Sequence, residues 1–399
     1  MKPKMTHEIV SAFLGYHQKR GYKIFKSFPL VSEDPTVMFV NATVTPFKRW
    51  YAEKSGPEGN FALVQKCFRL GDTSGLSLIE TNPYYFTFFQ MCGSGIFGIK
   101  HAEAVGYLLD VLLCAIGLEK EKLLFVTPDD AEFLPALKTN DIDEKNIFVI
   151  RENGFFWQEW RFGKLGLVGN GLTVVHSRSE QKASLQSMES DHDCYVDLLN
   201  LIYIYGQEAE DGRVIPIPHP GFDFGMGLER IASVMQGCDG YNIDSVKPLV
   251  DIVSQFASDR GLEMEIGTLR LLTNHLRSIC LLSDEGVIPS NKKHGYTLRK
   301  LVRHLLELIW SKARITMPID ELVVSFAGQL GKCGLILRCP TSSICTVIAE
   351  EAEALQRVIA SAKNLLKHRP GISAEFLRDT HGLPPALLPL LKGEFDETN

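Results

Sequence analysis

The sequence predicts an α+β protein in which an antiparallel sheet flanked by helices precedes a mostly helical domain. Short runs rich in β-branched and aromatic residues dominate the chain through Ile204, whereas helical periodicity dominates from Met226 onward. The early strands are mostly not separated by helices, which argues against a parallel βαβ sheet. We therefore place a domain boundary near residue 245, with domains at 1–245 and 246–399.

Each element is predicted from its own local pattern. Apolar residues at helical spacing, among them Ile9 and Phe13, predict an opening helix over residues 5–21. Glycine-, proline- and asparagine-rich pieces then separate six predicted strands: Thr36–Asn41, Phe61–Phe68, Tyr84–Met91, Ile147–Arg151, Leu172–His176 and Tyr195–Ile204. A helix at about 101–117 interrupts this series, and a glycine-rich turn at 222–227 ends it. Further helices are predicted at about 227–236, 244–260, 267–283, 295–313 and 343–367.

Composition and charge exclude several classes of protein. With 42 Lys and Arg against 48 Asp and Glu, the net charge is −6, so any nucleic-acid contact must come from a local basic patch. The most apolar stretch, Val105–Leu118, is too short to cross a membrane and contains Asp110. The N-terminus lacks a hydrophobic signal region, and nine cysteines are scattered without a C-x-x-C pair. We therefore expect a cytoplasmic protein with reduced thiols and no membrane association.

The common nucleotide-binding loops do not account for this sequence. No G-x-G-x-x-G opens a helix, and no G-x-x-x-x-G-K-[ST] is present. A nucleotide would therefore lie on the antiparallel sheet and depend on arginine side chains. Arg69 on one strand and either Phe88 or Phe89 on the next could hold an α-phosphate and stack a purine base. Arg230, near the start of a predicted helix, could bind the far phosphates.

Several segments in a fixed order resemble those of a known family. The first part of the chain contains LVSEDPTVMFVNATVTPFK at 30–48, KCFRLG at 66–71, TFFQMCG at 87–93 and FDFGMGLERI at 222–231. The second part contains NHLRS at 274–278, GVIPSN at 286–291, GYTLRKLVR at 295–303 and DTHGLP at 379–384. Together they resemble the N-terminal part of the alanyl-tRNA synthetases, which are class II synthetases. The resemblance implies a class II synthetase-like sheet in a catalytic adenylation domain, then a helical tRNA-recognition domain, and no editing domain.

The resemblance also implies a reaction and the residues that perform it. Alanine, or a similar small amino acid, would react with ATP to form an aminoacyl-adenylate, and the acyl group would pass to the acceptor stem of a tRNA. The implied ATP-binding residues are Arg69, Phe89, Glu229 and Arg230, of which Arg69 and Arg230 would be catalytic. The implied amino-acid-binding residues are Val44, Trp157, Asn200, Ile202, Asp223 and Gly225. The implied tRNA-binding residues are Asn291, Arg299, Lys300, Arg303 and Asp379.

Simpler structural interpretations stand beside these functional ones. Asp223 could cap the helix that follows it, and Trp157 could serve packing alone. The stretch 292–314, with seven Lys and Arg against one acid, could be a solvated helix face instead of a phosphate-binding one. We expect Mg²⁺ only as a companion of ATP, no bound zinc and no metal-binding residues, because the histidines and cysteines match no zinc spacing. We also expect a monomer.

Departures from the family leave the function open to alternatives. Asp72–Gly75 replaces a glycine, lysine, histidine and asparagine run, and Tyr84-Tyr85-Phe86 replaces Arg-His-His. These changes remove positive charge, and we hypothesise that Arg161 and Lys164 replace part of it. A paralogue could pass the aminoacyl group to a carrier protein or small molecule. A non-catalytic homologue could bind ATP or tRNA without turnover.

Overall fold

The computed structural model describes residues 2–70, 78–130, 132–163, 166–369 and 371–392. It divides into one unit of residues 1–69 and 82–244 and a second unit of residues 70–81 and 245–399. Residues 78–81 therefore belong with the helical part of the chain, although they lie far from that part in sequence.

The first unit is built on one mixed sheet, whose nine strands all lie in the described residues. The strands are β1 Lys23–Ile24, β2 Phe61–Phe68, β3 Phe88–Phe97, β4 Leu123–Pro128, β5 Ile147–Ile150, β6 Trp160–Arg161, β7 Leu167–Ser177, β8 Tyr195–Glu208 and β9 Val214–Gly227. Their order is β1-β2-β3-β9-β8-β7-β4-β5, and β6 pairs with β7. Only the β1–β2 and β4–β5 pairs are parallel, so the centre of the sheet is antiparallel. The predicted α+β class is confirmed.

Helices flank this sheet and form the bulk of the second unit. In the first unit they are α1 Thr6–Lys19, α2 Lys48–Ala52, α3 His101–Leu109, α4 Phe133–Thr139, α5 Leu185–Ser190 and α6 Leu228–Gln236. A π-helical segment, Asp110–Ile116, continues α3. In the second unit they are α7 Lys247–Ser258, α8 Ile266–Asp284, α9 Lys293–Ala313, α10 Asp320–Lys332, α11 Thr341–His368, α12 Ala374–His381 and α13 Pro389–Lys392. Within the described residues, no helix is both long and apolar enough to cross a membrane.

The prediction of a turn at 222–227 is wrong. These residues belong to β9, which lies between β3 and β8 in the middle of the sheet. The glycines misled the prediction, because glycine usually marks a turn or weakens a strand. Tyr84–Met91 is also corrected, since the strand there is Phe88–Phe97, and Thr36–Asn41 contains only an isolated bridge between Val31 and Phe39.

Close packing explains why one face of the central strands carries glycines. A Cβ atom at Gly93 would overlap the side chain of Thr43, and one at Gly95 would overlap the ring of Phe61. The opposite face carries large apolar side chains, and the Phe224 ring stacks on Phe13 of α1 with centroids 6.0 Å apart. The sheet therefore has an apolar face under α1 and a glycine-bearing face on which Thr43, from a loop, and Phe61, from β2, pack against the glycines.

A glycine pair tests this packing. Gly95→Ala should lower the free energy of unfolding by about 1–3 kcal/mol, because the added methyl group overpacks against Phe61. Gly15→Ala is the matched control, since no atom lies within 4 Å of a Cβ built at Gly15. It should raise the free energy of unfolding by about 0.5–1 kcal/mol by favouring α1. Chemical denaturation of both variants measures the difference, and equal effects would contradict the proposed close contact.

Candidate active site

The first unit contains a cavity of about 130 Å³ at the C-terminal end of β9 and the start of α6. Seven of the ten residues predicted to bind ATP or the amino acid line it: Arg69, Phe89, Trp157, Asn200, Gly225, Glu229 and Arg230. The lining residues that sequence reasoning did not select are Tyr84, Tyr85, Phe86, Met91, Asp197, Leu198, Leu199 and Gly227. The structure therefore brings all of the predicted ATP-binding residues and half of the predicted amino-acid-binding residues into one cavity.

The pairing of β9 with β3 and β8 determines which residues lie at the middle of this cavity. Gly225 of β9 pairs with Asn200 of β8 on one side and with Gly93 of β3 on the other. The Asn200 Oδ1 atom accepts a hydrogen bond of 2.6 Å from the Thr173 hydroxyl. The Asn200 NH₂ group therefore remains the donor that this side chain can offer to a ligand. Trp157 borders the same cavity with 38% of its surface exposed, so it is not a core residue.

Arg69 and Phe89 lie together on adjacent strands. Phe88 is fully buried, whereas Phe89 lines the cavity, as the alternation of strand side chains requires. The Arg69 guanidinium carbon lies 5.0 Å from the centre of the Phe89 ring, and its Nε donates to the Asn41 carbonyl at 2.8 Å. A fixed guanidinium beside an aromatic face can bind a phosphate next to a stacked base.

Arg230 is held in the first turn of α6 by acceptors from two other segments. Its Nη1 donates to Asp197 Oδ2 at 2.9 Å and to the Asp197 carbonyl at 3.0 Å, and its Nε donates to the Tyr84 carbonyl at 3.3 Å. The other carboxylate oxygen, Asp197 Oδ1, is buried and has no hydrogen-bond partner among the described residues. Asp197 was missed by the sequence analysis, although an acidic residue in a strongly apolar strand was a usable signal.

Arg178, just after β7, connects the wall of the cavity to the end of α6. Its Nη1 donates to the Tyr84 hydroxyl at 2.7 Å, and its Nη2 donates to the carbonyls of Ser233 and Cys238 at 3.1 and 2.8 Å. One guanidinium therefore fixes both Tyr84 and the helix that carries Arg230. Tyr84, Tyr85 and Phe86 line the cavity. The segment that the sequence analysis describes as standing in place of Arg-His-His therefore forms an aromatic wall.

Glu229 joins α6 to the sheet. Its buried carboxylate accepts hydrogen bonds from the backbone N–H of Gln90 at 3.0 and 3.2 Å. This contact connects the first turn of α6 to β3, next to Phe89. Glu229 therefore orients the side of the cavity that carries Phe89.

Asp223 lies behind the cavity and is not among the residues that line it. Only 6% of its surface is exposed, and the Thr43 hydroxyl donates to its Oδ1 at 3.4 Å. Burial raises the pKa of Asp223 to about 7, and the Thr43 hydrogen bond opposes this shift only partly. Because Asp223 lies in β9 and α6 begins at Leu228, the helix-cap interpretation is wrong.

Val44 and Ile202 lie in a hydrophobic cluster next to Asp223. Both are buried among residues that include Tyr51 and Leu167, and Ile202 pairs with Asp223 in the sheet. Neither is among the residues that line the cavity. The surface nearest Gly225 is instead formed by Met91, which sequence reasoning did not select.

The hypothesis that Arg161 and Lys164 replace lost charge finds no geometric support. Arg161 donates to Glu159 at 2.7 Å and to Glu208 at 2.6 Å, and it is not among the residues that line the cavity. Lys164 and the altered loop at 72–75 lie outside the described residues. In the part of the chain that the structure describes, no group of three or more His, Cys, Asp and Glu side chains could hold a metal ion.

The predicted tRNA-binding residues lie in the second unit, mostly at the start of α9. Arg299 and Arg303 donate to the two oxygens of the buried Glu351 carboxylate, on α11, at 2.8 and 3.0 Å. Arg299 also donates to the Asn291 Oδ1 atom. Lys300 lies half-buried on the same helix.

Asp379 lies in α12 and forms an exposed pair with Arg378 at 2.8 Å. It is therefore a helical residue and not a turn residue.

Comparison with known proteins identifies the family. Residues 8–395 match the model of the class II (A) tRNA synthetases. The chain belongs to this family. This membership confirms the class II synthetase-like sheet expected from the sequence.

Curated relatives of this class II chain carry the name "Alanine--tRNA ligase". Those of Hyphomonas neptunium and Caulobacter sp. strain K31 are 28% and 30% identical, and each comparison covers 95% of this chain and 45% of the relative. That of Solibacter usitatus is 31% identical over 82% of this chain and 38% of its own length. The chain thus spans less than half the length of these relatives.

Solved structures of other class II synthetases are also similar. Asparaginyl-tRNA synthetase of Entamoeba histolytica is 9% identical with a TM-score of 0.34, over 59% of this chain and 64% of that one. Histidyl-tRNA synthetase of S. aureus is 11% identical with a TM-score of 0.34, over 58% of this chain and 70% of that one.

Burial of the Asp223 carboxyl group indicates that the stability of the protein depends on pH. Burial raises the pKa of Asp223 from 3.8 to about 7, so between these values the folded protein holds a proton that the unfolded chain has lost. The free energy of unfolding contributed by this group therefore falls as the pH rises through this range. Asp223→Asn removes the titrating carboxyl group. At pH 8 this variant should be more stable than the wild type by roughly a few kcal/mol, and at pH 4 the two proteins should be almost equally stable. Chemical denaturation at both pH values measures this, and parallel pH profiles would contradict it.

Proposed function

We propose that this protein activates alanine, or a similarly small amino acid, with ATP to form an aminoacyl-adenylate, and then transfers the aminoacyl group to a tRNA. One observation carries the proposal: all four residues expected to bind ATP and three of the six expected to bind the amino acid, Trp157, Asn200 and Gly225, line a single cavity. Formation of an adenylate requires this, because the carboxylate must be held within reach of the α-phosphorus. Family membership and the names of the relatives support the same reaction.

The arginines account for the ATP half of the reaction. An amino acid carboxylate oxygen attacks the α-phosphorus, the bond to the bridging oxygen breaks, and pyrophosphate leaves with the electron pair. Arg69 neutralises charge that develops at the α-phosphate, and Phe89 offers a ring face to the base. Arg230, held by Asp197 and Tyr84, binds the departing pyrophosphate. Mg²⁺ enters with ATP and is held mainly by phosphates and water, so no resident metal is required.

The β9 strand accounts for the amino acid half. Asp223 and Gly225 are two residues apart on one strand and therefore face the same side of the sheet. Asp223 supplies the counter-charge for the substrate ammonium group, and its carboxyl is ionised above a pKa of about 7. Asn200 offers its amide donors and Trp157 borders the substrate. Val44 and Ile202, one layer deeper, limit the shape of this region.

The basic start of α9 provides the proposed contact with the tRNA acceptor stem. Arg299 and Arg303 share the one carboxylate of Glu351, so this group keeps a net positive charge that suits a phosphate backbone. Lys300 adds to it, and Asn291 and Asp379 are the proposed readers of base edges in the open minor groove of A-form RNA.

We further propose that the protein acts as a cytoplasmic monomer without resident zinc. Metal analysis of the purified protein tests the absence of zinc, and size-exclusion chromatography with light scattering tests the monomeric state.

Pyrophosphate exchange tests the proposed function. Exchange between pyrophosphate and ATP should depend on an added amino acid, with alanine preferred among the standard set, and labelled alanine should then attach to tRNA. Exchange without attachment to any tRNA would indicate another acceptor, such as a carrier protein or small molecule. Absence of exchange with every amino acid would indicate a binding protein without turnover.

An arginine pair tests the role of the cavity. Arg69→Ala should lower the rate of alanine-dependent pyrophosphate exchange about a hundredfold or more, because a fixed charge at the α-phosphate is lost. Arg161→Ala is the matched control, since Arg161 is paired with Glu159 and Glu208 away from the cavity. Equal losses in the two variants would show that the cavity is not the site of adenylation.

A second arginine pair separates tRNA charging from adenylation. Arg303→Ala should weaken tRNA binding and lower the slope of its salt dependence by about one, while pyrophosphate exchange stays unchanged. Arg357→Ala, at an exposed arginine paired with Glu353 on α11, is the control and should change neither quantity. Charging assays at several salt concentrations measure the effect. Unaltered charging by the Arg303 variant would exclude this helix face from the tRNA contact.

A further inference from the structure

Two side chains to which the sequence analysis assigned no role, Thr43 and Met91, separate Asp223 from the cavity. Thr43 is completely buried and its hydroxyl donates to Asp223 Oδ1 at 3.4 Å. The same hydroxyl lies 3.7 Å from the sulfur of Met91. Met91 lines the cavity, whereas Asp223 does not. Thr43 and Met91 therefore form a layer between the carboxylate and the space that a substrate can enter.

This layer occupies the volume above the central glycines. A Cβ atom at Gly225 would lie 3.0 Å from the Met91 sulfur and 3.8 Å from the Thr43 hydroxyl oxygen, and one at Gly93 would overlap the Thr43 side chain. The room that glycine leaves on this face of the sheet is thus largely filled by these two residues. An amino acid that lies over Gly225, with its ammonium directed to Asp223, has them as its nearest neighbours.

The two side chains differ in how they can respond to a substrate. Threonine is β-branched and stiff, so its methyl group is a fixed wall. Methionine is unbranched and adaptable, so its thioether can shift to open a path to the carboxylate. The Thr43 hydroxyl satisfies Asp223 when no ammonium group is present.

We propose that Thr43 and Met91 are specificity-determining residues that restrict the substrate to amino acids with a hydrogen atom or a methyl group as side chain. This inference rests on the proposed amino acid activation and names the feature that sets its size limit.

The proposal is tested by removing one methyl group from the protein and adding one carbon to the substrate. Thr43→Ser removes one methyl group from the wall, and 2-aminobutyrate carries one carbon more than alanine. The ratio of kcat/KM for 2-aminobutyrate to that for alanine, measured by pyrophosphate exchange, should rise about tenfold or more in this variant and in Met91→Ala. Thr43→Val keeps the shape of the wall, so its ratio should stay within about twofold of the wild type.

A nearby threonine provides the control. Thr45 is also buried, but its hydroxyl donates to Asn41 Oδ1 at 3.1 Å, and Thr45→Ser should leave the ratio unchanged. If the wild type exchanges with alanine but the ratio stays constant in Thr43→Ser and Met91→Ala, the proposed function stands and the inference is overturned.

A second measurement does not depend on activity. Thr43→Gly and Met91→Ala should open Asp223 to water and lower its pKa, and in Thr43→Gly the entering water replaces the hydrogen bond that the hydroxyl donated. The loss of unfolding free energy between pH 5 and pH 8 should therefore shrink relative to the wild type. If no amino acid supports exchange, the proposed function fails, and this profile decides whether the two side chains seal the carboxylate. An unchanged pH dependence in both variants overturns the inference.

Discussion

The pairing register of β3, β9 and β8 is the constraint on which the candidate site depends. It places Gly225 between Gly93 and Asn200 and directs Asp223 toward the glycine-bearing face. A slip of one residue would exchange every side chain of β9 between the two faces. Phe222 and Phe224 oppose such a slip, because both are fully buried on the other face of the sheet. Apolar packing thereby holds a carboxyl group where burial by itself would disfavour its charge.

The cationic groups of the cavity are positioned by the protein before any ligand binds. Arg69 is bound to the Asn41 carbonyl, and Arg230 is bound to Asp197 and to the Tyr84 carbonyl. Arg178 supports this arrangement indirectly, because its guanidinium donates both to the Tyr84 hydroxyl and to the Cys238 carbonyl just after α6. Fixed donors are effective in phosphoryl chemistry because they do not need to reorganise as charge develops.

Sequence reasoning predicted the strands and helices that carry a local signal. The bounds of β2 coincide with the prediction, and helices α6 to α9 and α11 lie where the periodicity indicated. It failed at β9, because prolines at 216, 218 and 220 and the glycines that follow suggest a turn, whereas neighbouring strands supply the pairing that makes them a strand. Arg69, Phe89 and Arg230, which line the cavity, had been selected through their motifs. Asp197, Arg178, Thr43 and Met91 were missed, because their importance arises only from contacts across the sheet.

The sequence by itself determined the fold class and the family, since these follow from local patterns and ordered motifs. Only the tertiary structure decided that Asp223 is buried behind Thr43, with a pKa near 7, and that Glu351 holds Arg299 and Arg303 together. Both are contacts between residues far apart in the chain. Burial and partner choice depend on which segments the fold brings together, and no local pattern of residues records that.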